Sequence, residues 1–102
     1  LGLAYIRMKD KLKASQFLAK ATQLAADNSH YFYVYGLSLE QLELKKSYST
    51  LFKAYRLSNN PQHLYALCDM QLRHQSIDAK NCLSKLSHVV PAAVLDQLKK
   101  RY

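Results

Sequence analysis

A chain of 102 residues, 49% apolar and 22% charged, has the make-up of an ordinary globular domain with room for one core. Two glycines and two prolines leave little material for tight hairpins, and no apolar run approaches the ~18 residues of a membrane span, so long helices with short connections are expected. Fifteen Lys/Arg against seven Asp/Glu give a net charge of +8, which draws polyanions, anionic surfaces or acidic partners, unless the cations merely solvate outer helix faces.

Apolar residues recur at threes and fours almost throughout, the spacing of helices, and no alternation persists long enough for a strand. The opening Leu1-Gly2-Leu3-Ala4 lacks Met and the basic-then-apolar form of a signal peptide, and it reads as the middle of a helix over 1–8. The chain is therefore expected to be a piece of a longer protein. Asp10 is a good N-cap for a second helix with Ala14, Phe17, Leu18, Ala21 and Leu24 on one face. Asp27-Asn28-Ser29 breaks the pattern and caps a third helix over about 30–44, and Lys45-Lys46-Ser47 makes the next turn. A fourth helix carries Leu51, Phe52, Ala54, Tyr55 and Leu57. Ser58-Asn59-Asn60-Pro61 is the clearest boundary, with Asn60 at N-cap and Pro61 at the first helical position of a fifth helix reaching about residue 73. Ser76 caps a sixth, with Ala79, Leu83 and Leu86 inward, and Val90-Pro91 opens a seventh that ends the chain.

The only two glycines, Gly2 and Gly36, stand 34 residues apart in matching apolar surroundings. Inside helices each costs about 1 kcal/mol against alanine, so a cost taken twice at one interval implies a repeated close helix approach. Further matches follow. Phe32, Tyr35, Gly36 and Leu39 map onto Leu64, Leu67, Cys68 and Gln71 at a shift of 32. Ala14, Leu18 and Ala21 map onto Ser47, Leu51 and Ala54 at 33, and these onto Ala79, Leu83 and Leu86 at 32. Self-similarity at this period is the mark of a stacked helical repeat.

In these residues the chain resembles the tetratricopeptide repeat (TPR) family. The first repeat reads Leu1-Gly2-x-x-Tyr5…Ala14-x-x-x-Leu18-x-x-Ala21, without its opening turn. The second reads Phe32-x-x-Tyr35-Gly36-x-x-Leu39…Ser47-x-x-x-Leu51-x-x-Ala54, and the third Leu64-x-x-Leu67-Cys68-x-x-Gln71…Ala79-x-x-x-Leu83-x-x-Leu86…Pro91. The resemblance implies an all-α, right-handed α-solenoid of antiparallel helix pairs in a single domain: repeats over about 1–28, 29–60 and 61–91, then a capping helix over 91–102. Small residues (Gly2, Gly36, Cys68, Ala14, Ser47, Ala79) are expected where paired helices touch, and large ones (Tyr5, Leu18, Phe32, Leu51, Leu83) in the seams.

The resemblance also implies a groove lined by the first helix of each repeat, taking an extended peptide or a partner helix. Its positions here are Leu3, Ile6 and Arg7, then His30, Tyr33, Leu37, Glu40 and Gln41, then Gln62, Tyr65, Asp69, Leu72 and Arg73. Tyr33 and Tyr65 correspond across the repeat; either they offer broad contact with a polar tip, or they pack between repeats. The paired Lys/Asn and Lys/Arg clamp with which some members grip a C-terminal carboxylate is missing: Val34, Gln62 and Ala66 stand at corresponding positions. A mixed groove of Tyr, Arg, Gln and Glu suits a partly apolar, polar-rimmed segment.

No catalytic constellation emerges. His30, His63, His74 and His88 lack ligand spacing, and no glycine loop can cradle a phosphate. Cys68 and Cys82 are equidistant from Gln75 in a predicted turn, so a bridge is geometrically open in an oxidising compartment; free buried thiols are the default expectation, because packed helix axes about 8–10 Å apart are wide for a disulfide. The reading is a non-catalytic protein–protein interaction module with no cofactor and no metal, of the bacterial cast that the general resemblance implies. Its compartment is open between cytoplasm and periplasm. Two other classes remain: a basic nucleic-acid or anionic-surface binder, less favoured because basic and aromatic residues are not interleaved, or an accessory repeat domain of a larger enzyme or haem protein.

Overall fold

The computed structural model describes the backbone of residues 2–102 and the side chains from Asp10 onward. Among these residues there are six α-helices and no strand: α1 (Gly2–Leu24), α2 (Ser29–Ser38), α3 (Leu44–Ser58), α4 (Pro61–Arg73), α5 (Ala79–Ser87) and α6 (Ala92–Lys100). The side chains of Leu1, Leu3, Tyr5, Ile6 and Arg7, to which the sequence assigns part of the first repeat and one end of the groove, lie outside the described residues. Each helix packs chiefly on its neighbour in chain order. The molecule measures 41 × 35 × 20 Å. No helix among the described residues is long and apolar enough to cross a membrane.

Asn28 and Asn60 cap where the sequence places them, whereas α5 begins at Ala79 with Asp78, not Ser76, at its N-cap, because Ser76 belongs to the Schellman turn that ends α4. Asn28 Oδ1 accepts from the backbone N–H groups of His30 and Tyr31 at 3.1 and 3.3 Å and opens α2. Asn60 Oδ1 accepts from Gln62 N at 3.0 Å, with Pro61 in the first turn of α4, and the two caps stand 32 residues apart. Gln75, in the left-handed conformation at φ 54°, ends α4. Ser76 N bonds to Gln71 O at 2.8 Å and Gln75 N to Leu72 O at 3.1 Å, the paired bonds of a Schellman motif.

Close approach at Gly36 is visible in atomic detail. A Cβ there would lie 2.7 Å from Leu51 Cγ, so α2 and α3 could not keep their separation with alanine at this position. Ser47 Oγ donates to the Gly36 carbonyl at 2.5 Å, which ties the two small positions together. The main core lies between α3, α4, α5 and α6, built from Leu51, Leu64, Leu67, Cys68, Met70, Cys82, Leu86 and Leu98.

Three further expectations need correction. The break at Asp10 does not occur, and α1 runs unbroken from Gly2 to Leu24 instead of forming two antiparallel helices. No Gly or Pro interrupts Lys9-Asp10-Lys11-Leu12-Lys13, and nothing opposes continuation of the helix through a lone Asp. The face meant to receive the folded-back segment is consequently open, with Phe17 74% and Leu24 85% exposed. α1 buries Ser15 and Thr22 instead, their hydroxyls donating to the carbonyls of Leu12 and Ala19.

The third predicted helix also ends early. α2 stops at Ser38, and the chain turns through residues 39–43, not at Lys45-Lys46-Ser47. The cause is tertiary: α3 has to begin at Leu44 for Ser47 to sit inside it against Gly36, and Leu39 at the turn is itself buried.

Finally, the cysteines are not free. Cys68 and Cys82 are bonded to each other, with their Cα atoms 5.4 Å apart. Cys68 occupies the small-residue position equivalent to Gly36, so α4 and α5 approach more closely there than typical packed helices. The turn centred on Gln75 brings both residues to the same height.

Candidate functional site

Successive turns of α2 and α4 present one continuous face. Tyr33 is half-buried on α2, and its ring stacks on that of His63 from α4, with centroids 4.7 Å apart and planes 22° off parallel. His63 is buried, and its Nδ1 lies 2.9 Å from Ser58 Oγ, which ties the ring to the end of α3. Tyr65, one turn along α4 from Pro61, is half-buried as well, and both tyrosines rest against the main core. They are thus packed at their bases and accessible at their edges.

Farther along the same face the side chains turn ionic. Glu40 Oε2 accepts from Arg73 Nε at 2.8 Å and lies 2.7 Å from His74 Nε2. Arg73 reaches in the other direction to Asp69 Oδ2 at 3.3 Å, one helical turn away. The second Asp69 oxygen accepts from the Tyr102 hydroxyl at 2.6 Å and faces Arg101 Nη1 at 3.8 Å. Arg73 is therefore a bridge between a carboxylate on the α2–α3 turn and another on α4. Burial acts to lower the pKa of its guanidinium, but the hydrogen bond and charge of Glu40, with the charge of Asp69, outweigh it and hold the pKa above the ordinary arginine value. The phenol of Tyr102 is also held above its usual value, first by its hydrogen bond to Asp69.

Of the positions read from the sequence, Tyr33, Glu40, Tyr65, Asp69 and Arg73 are brought together on this face. His30 and Gln62 are exposed in the first turns of α2 and α4, at the opposite end of those helices from the ion pairs. Leu37 and Gln41 are exposed beside Glu40, and Gln41 Oε1 accepts from Lys11 Nζ on α1. Leu72 points elsewhere and lines a surface hollow with Leu83 and Leu95 between α4, α5 and α6. Arg7 lies outside the described side chains.

Sequence reasoning missed His63, His74, Arg101 and Tyr102 as members of this face. His63 could have been found, because it stands two residues before Tyr65 on the same helix and one turn before the buried Leu67. Nothing local marks Tyr102, which arrives from the far end of α6. Chemically the face offers aromatic edges beside internally paired charges. Among the described residues, no three His, Cys, Asp or Glu side chains converge to hold a metal ion. No known family model, curated protein or solved structure matches the chain.

Proposed function

We propose that this chain is a TPR-type α-solenoid, a right-handed stack in which α2/α3 and α4/α5 are successive antiparallel pairs flanked by α1 and α6. On this reading it is a non-catalytic interaction module that takes a peptide or partner helix across the Tyr33, Tyr65, Glu40, Asp69 and Arg73 face. The repeat is supported by burial as well as by sequence. Phe32 and Leu64, Tyr35 and Leu67, Gly36 and Cys68, Ser47 and Ala79, and Ala54 and Leu86 are each 32 residues apart, and all ten are buried.

The observation that carries the functional reading is the bridge from Glu40 to Arg73 beside the stacked Tyr33 and His63. It joins two helix ends into one preformed surface, so a partner alone bears the ordering cost of binding. Aromatic edges with a paired ionic rim suit a partly apolar segment that carries its own hydrogen-bonding groups. The paired cysteines favour an oxidising compartment, the periplasmic alternative, over the cytoplasm.

The test is selection of binders from a random peptide library displayed on phage, followed by affinity measurement with Glu40→Gln and Arg73→Met. Selected peptides should lose roughly tenfold in affinity in either variant while the helical circular dichroism is unchanged. Peptides that bind both variants as tightly as the parent would place the site elsewhere. Retention on heparin at physiological salt, falling steeply as salt is added, would support the polyanion-binding alternative instead.

A further inference from the structure

Ala14, Phe17, Leu18 and Ala21 on α1 stand 33 residues before Ser47, Thr50, Leu51 and Ala54 on α3. The four on α3 are all buried, and α2 lies against them: Ser47 Oγ donates to the Gly36 carbonyl, and Leu51 leaves no room for a Cβ at Gly36. The four on α1 are open. Ala14 and Phe17 are exposed, and Leu18 and Ala21 are only half-buried. Phe17, Ala21 and Leu24 follow at spacings of four and three, so they form one apolar stripe along the helix. With Leu18, Ala25 and Tyr31 from the first turns of α2, they line an open hollow of about 380 Å³. Phe17 at 74% and Leu24 at 85% exposure give this hollow a contiguous apolar rim in water, the mark of an interaction surface.

The charges around the stripe define what covers it. Lys20 stands on the rim of the hollow, and Lys13 lies two turns earlier on the same flank. Both are exposed, and neither makes an ion pair among the described residues. No acidic side chain lines the hollow. Asp10, the one acid of α1, stands two turns before Phe17, at the other end of the stripe from Leu24. A second copy of the chain fits poorly. In an antiparallel two-fold pair equal flanks face each other, so Lys13 and Lys20 would oppose the same lysines of the other copy. The matching surface is a helix with an apolar side edged by carboxylates.

We propose that the Phe17, Ala21 and Leu24 stripe docks an amphipathic helix of a partner protein, its large apolar residues on the stripe and its Glu or Asp residues against Lys13 and Lys20. Such a helix does for α1 what α2 does for α3. The surface is separate from the Tyr33 and Tyr65 face, since Tyr31 and Tyr33 point about 200° apart around α2.

Two synthetic helices test it, alike in a leucine stripe at spacings of three and four but edged by glutamate in one and lysine in the other. Titrated into the oxidised, 15N-labelled protein, the glutamate-edged helix should shift the amides of Phe17, Lys20, Ala21 and Leu24. It should bind roughly tenfold more tightly than the lysine-edged helix, and the difference should shrink as salt is added. Phe17→Ser should weaken it by roughly ten- to hundredfold with the helical circular dichroism unchanged, because the side chain is exposed. Leu24→Ser is the second variant should Phe17→Ser fold poorly. Lys13→Glu with Lys20→Glu should reverse the preference between the two helices, whereas Arg73→Met on the other face should leave it as it is. Equal affinity for the two helices would overturn the proposal, as would shifts confined to the amides of Tyr33 and Tyr65, or none at all. Dimerisation of the free protein that Phe17→Ser abolishes would also overturn it, by giving the stripe to a second copy.

Discussion

Replacing Gly36 by alanine sets two effects of opposite sign against each other. In an isolated helix the change would stabilise by about 1 kcal/mol, because glycine is the poorer helix former. Here the new methyl would meet Leu51 at Cγ and Cδ2, 2.7 and 2.8 Å away, and the Leu51 backbone nitrogen at 3.1 Å. Leu51 is fully buried, and its Cγ and backbone are not a flexible end that can swing aside. Relief requires α2 and α3 to separate, which also stretches the 2.5 Å bond from Ser47 Oγ to the Gly36 carbonyl. Overpacking of this kind costs about 1–3 kcal/mol, with about 1 kcal/mol more for a weakened buried hydrogen bond. The net expectation is a loss of about 1–3 kcal/mol, read as a Tm fall of about 4–8 °C per kcal/mol in a domain of this size. The companion variant Leu51→Ala should lose about 2–5 kcal/mol by leaving a cavity. In that background Gly36→Ala should become stabilising, because the methyl enters the vacated space. Urea melts of the four proteins complete the cycle. A higher Tm for Gly36→Ala in the parent protein would refute the reasoning, since the helices would then have room to spare.

Reduction of Cys68–Cys82 reopens a hairpin with a sequence separation of 14, and by loop closure alone it should cost about 3 kcal/mol; equal urea midpoints with and without reductant would show that the bond contributes nothing. Gln75→Gly should raise stability by a few tenths to about 1 kcal/mol, because glycine adopts the left-handed conformation of this helix end without strain; a fall in Tm would mean that the Gln75 side chain is itself required. Burial holds the Tyr48 phenol above the ordinary tyrosine pKa. The neutral form is therefore the one the fold favours, and the associated stability is complete below pH about 10 and lost as pH climbs through the raised folded value. Tyr48→Phe should show a smaller alkaline loss than the parent in urea melts, and no loss at neutral pH because the hydroxyl is unpaired.

Local punctuation was legible; tertiary decisions were not. Asn28 and Asn60-Pro61 announce their helices because an N-cap is a short-range hydrogen bond, and both caps form. Gly36 announces a close approach because glycine inside a helix needs a reason, and Leu51 supplies it. The turn over 39–43 has no such marker, since it is placed by the burial of Leu39 and by the register of Ser47 on Gly36. Asp10 has the composition of a cap but sits in a segment with nothing to end a helix. On the candidate face, Tyr33 and Tyr65 stand 32 residues apart in the sequence pattern, whereas the partnership of Asp69 with Tyr102 crosses 33 residues without any counterpart in that pattern. The cysteine pair was half legible: equal height follows from the turn at Gln75, but pairing depends on how closely α4 and α5 meet.

The charge of +8 can now be weighed against specific contacts. Lys53 lies 4.7 Å from the centre of the Phe32 ring, Lys85 4.7 Å from Phe52, and Lys46 5.8 Å from Tyr35. These three ammonium groups each cover an aromatic ring of α2 or α3, an arrangement worth about 0.5–1 kcal/mol at exposed sites. They serve the fold, as solvated outer-face residues do. Arg73 and Arg101 are turned inward on Glu40 and Asp69, so the face they share is close to internally balanced. What remains of the positive excess is spread over the surface and is screened beyond about 8 Å at physiological salt. Long-range attraction can raise the encounter rate of an acidic partner, but it does not choose one. On the proposed reading, selection would fall to the aromatic edges of Tyr33 and Tyr65 and the Glu40–Arg73–Asp69 bridge, whose geometry a partner would either match or break.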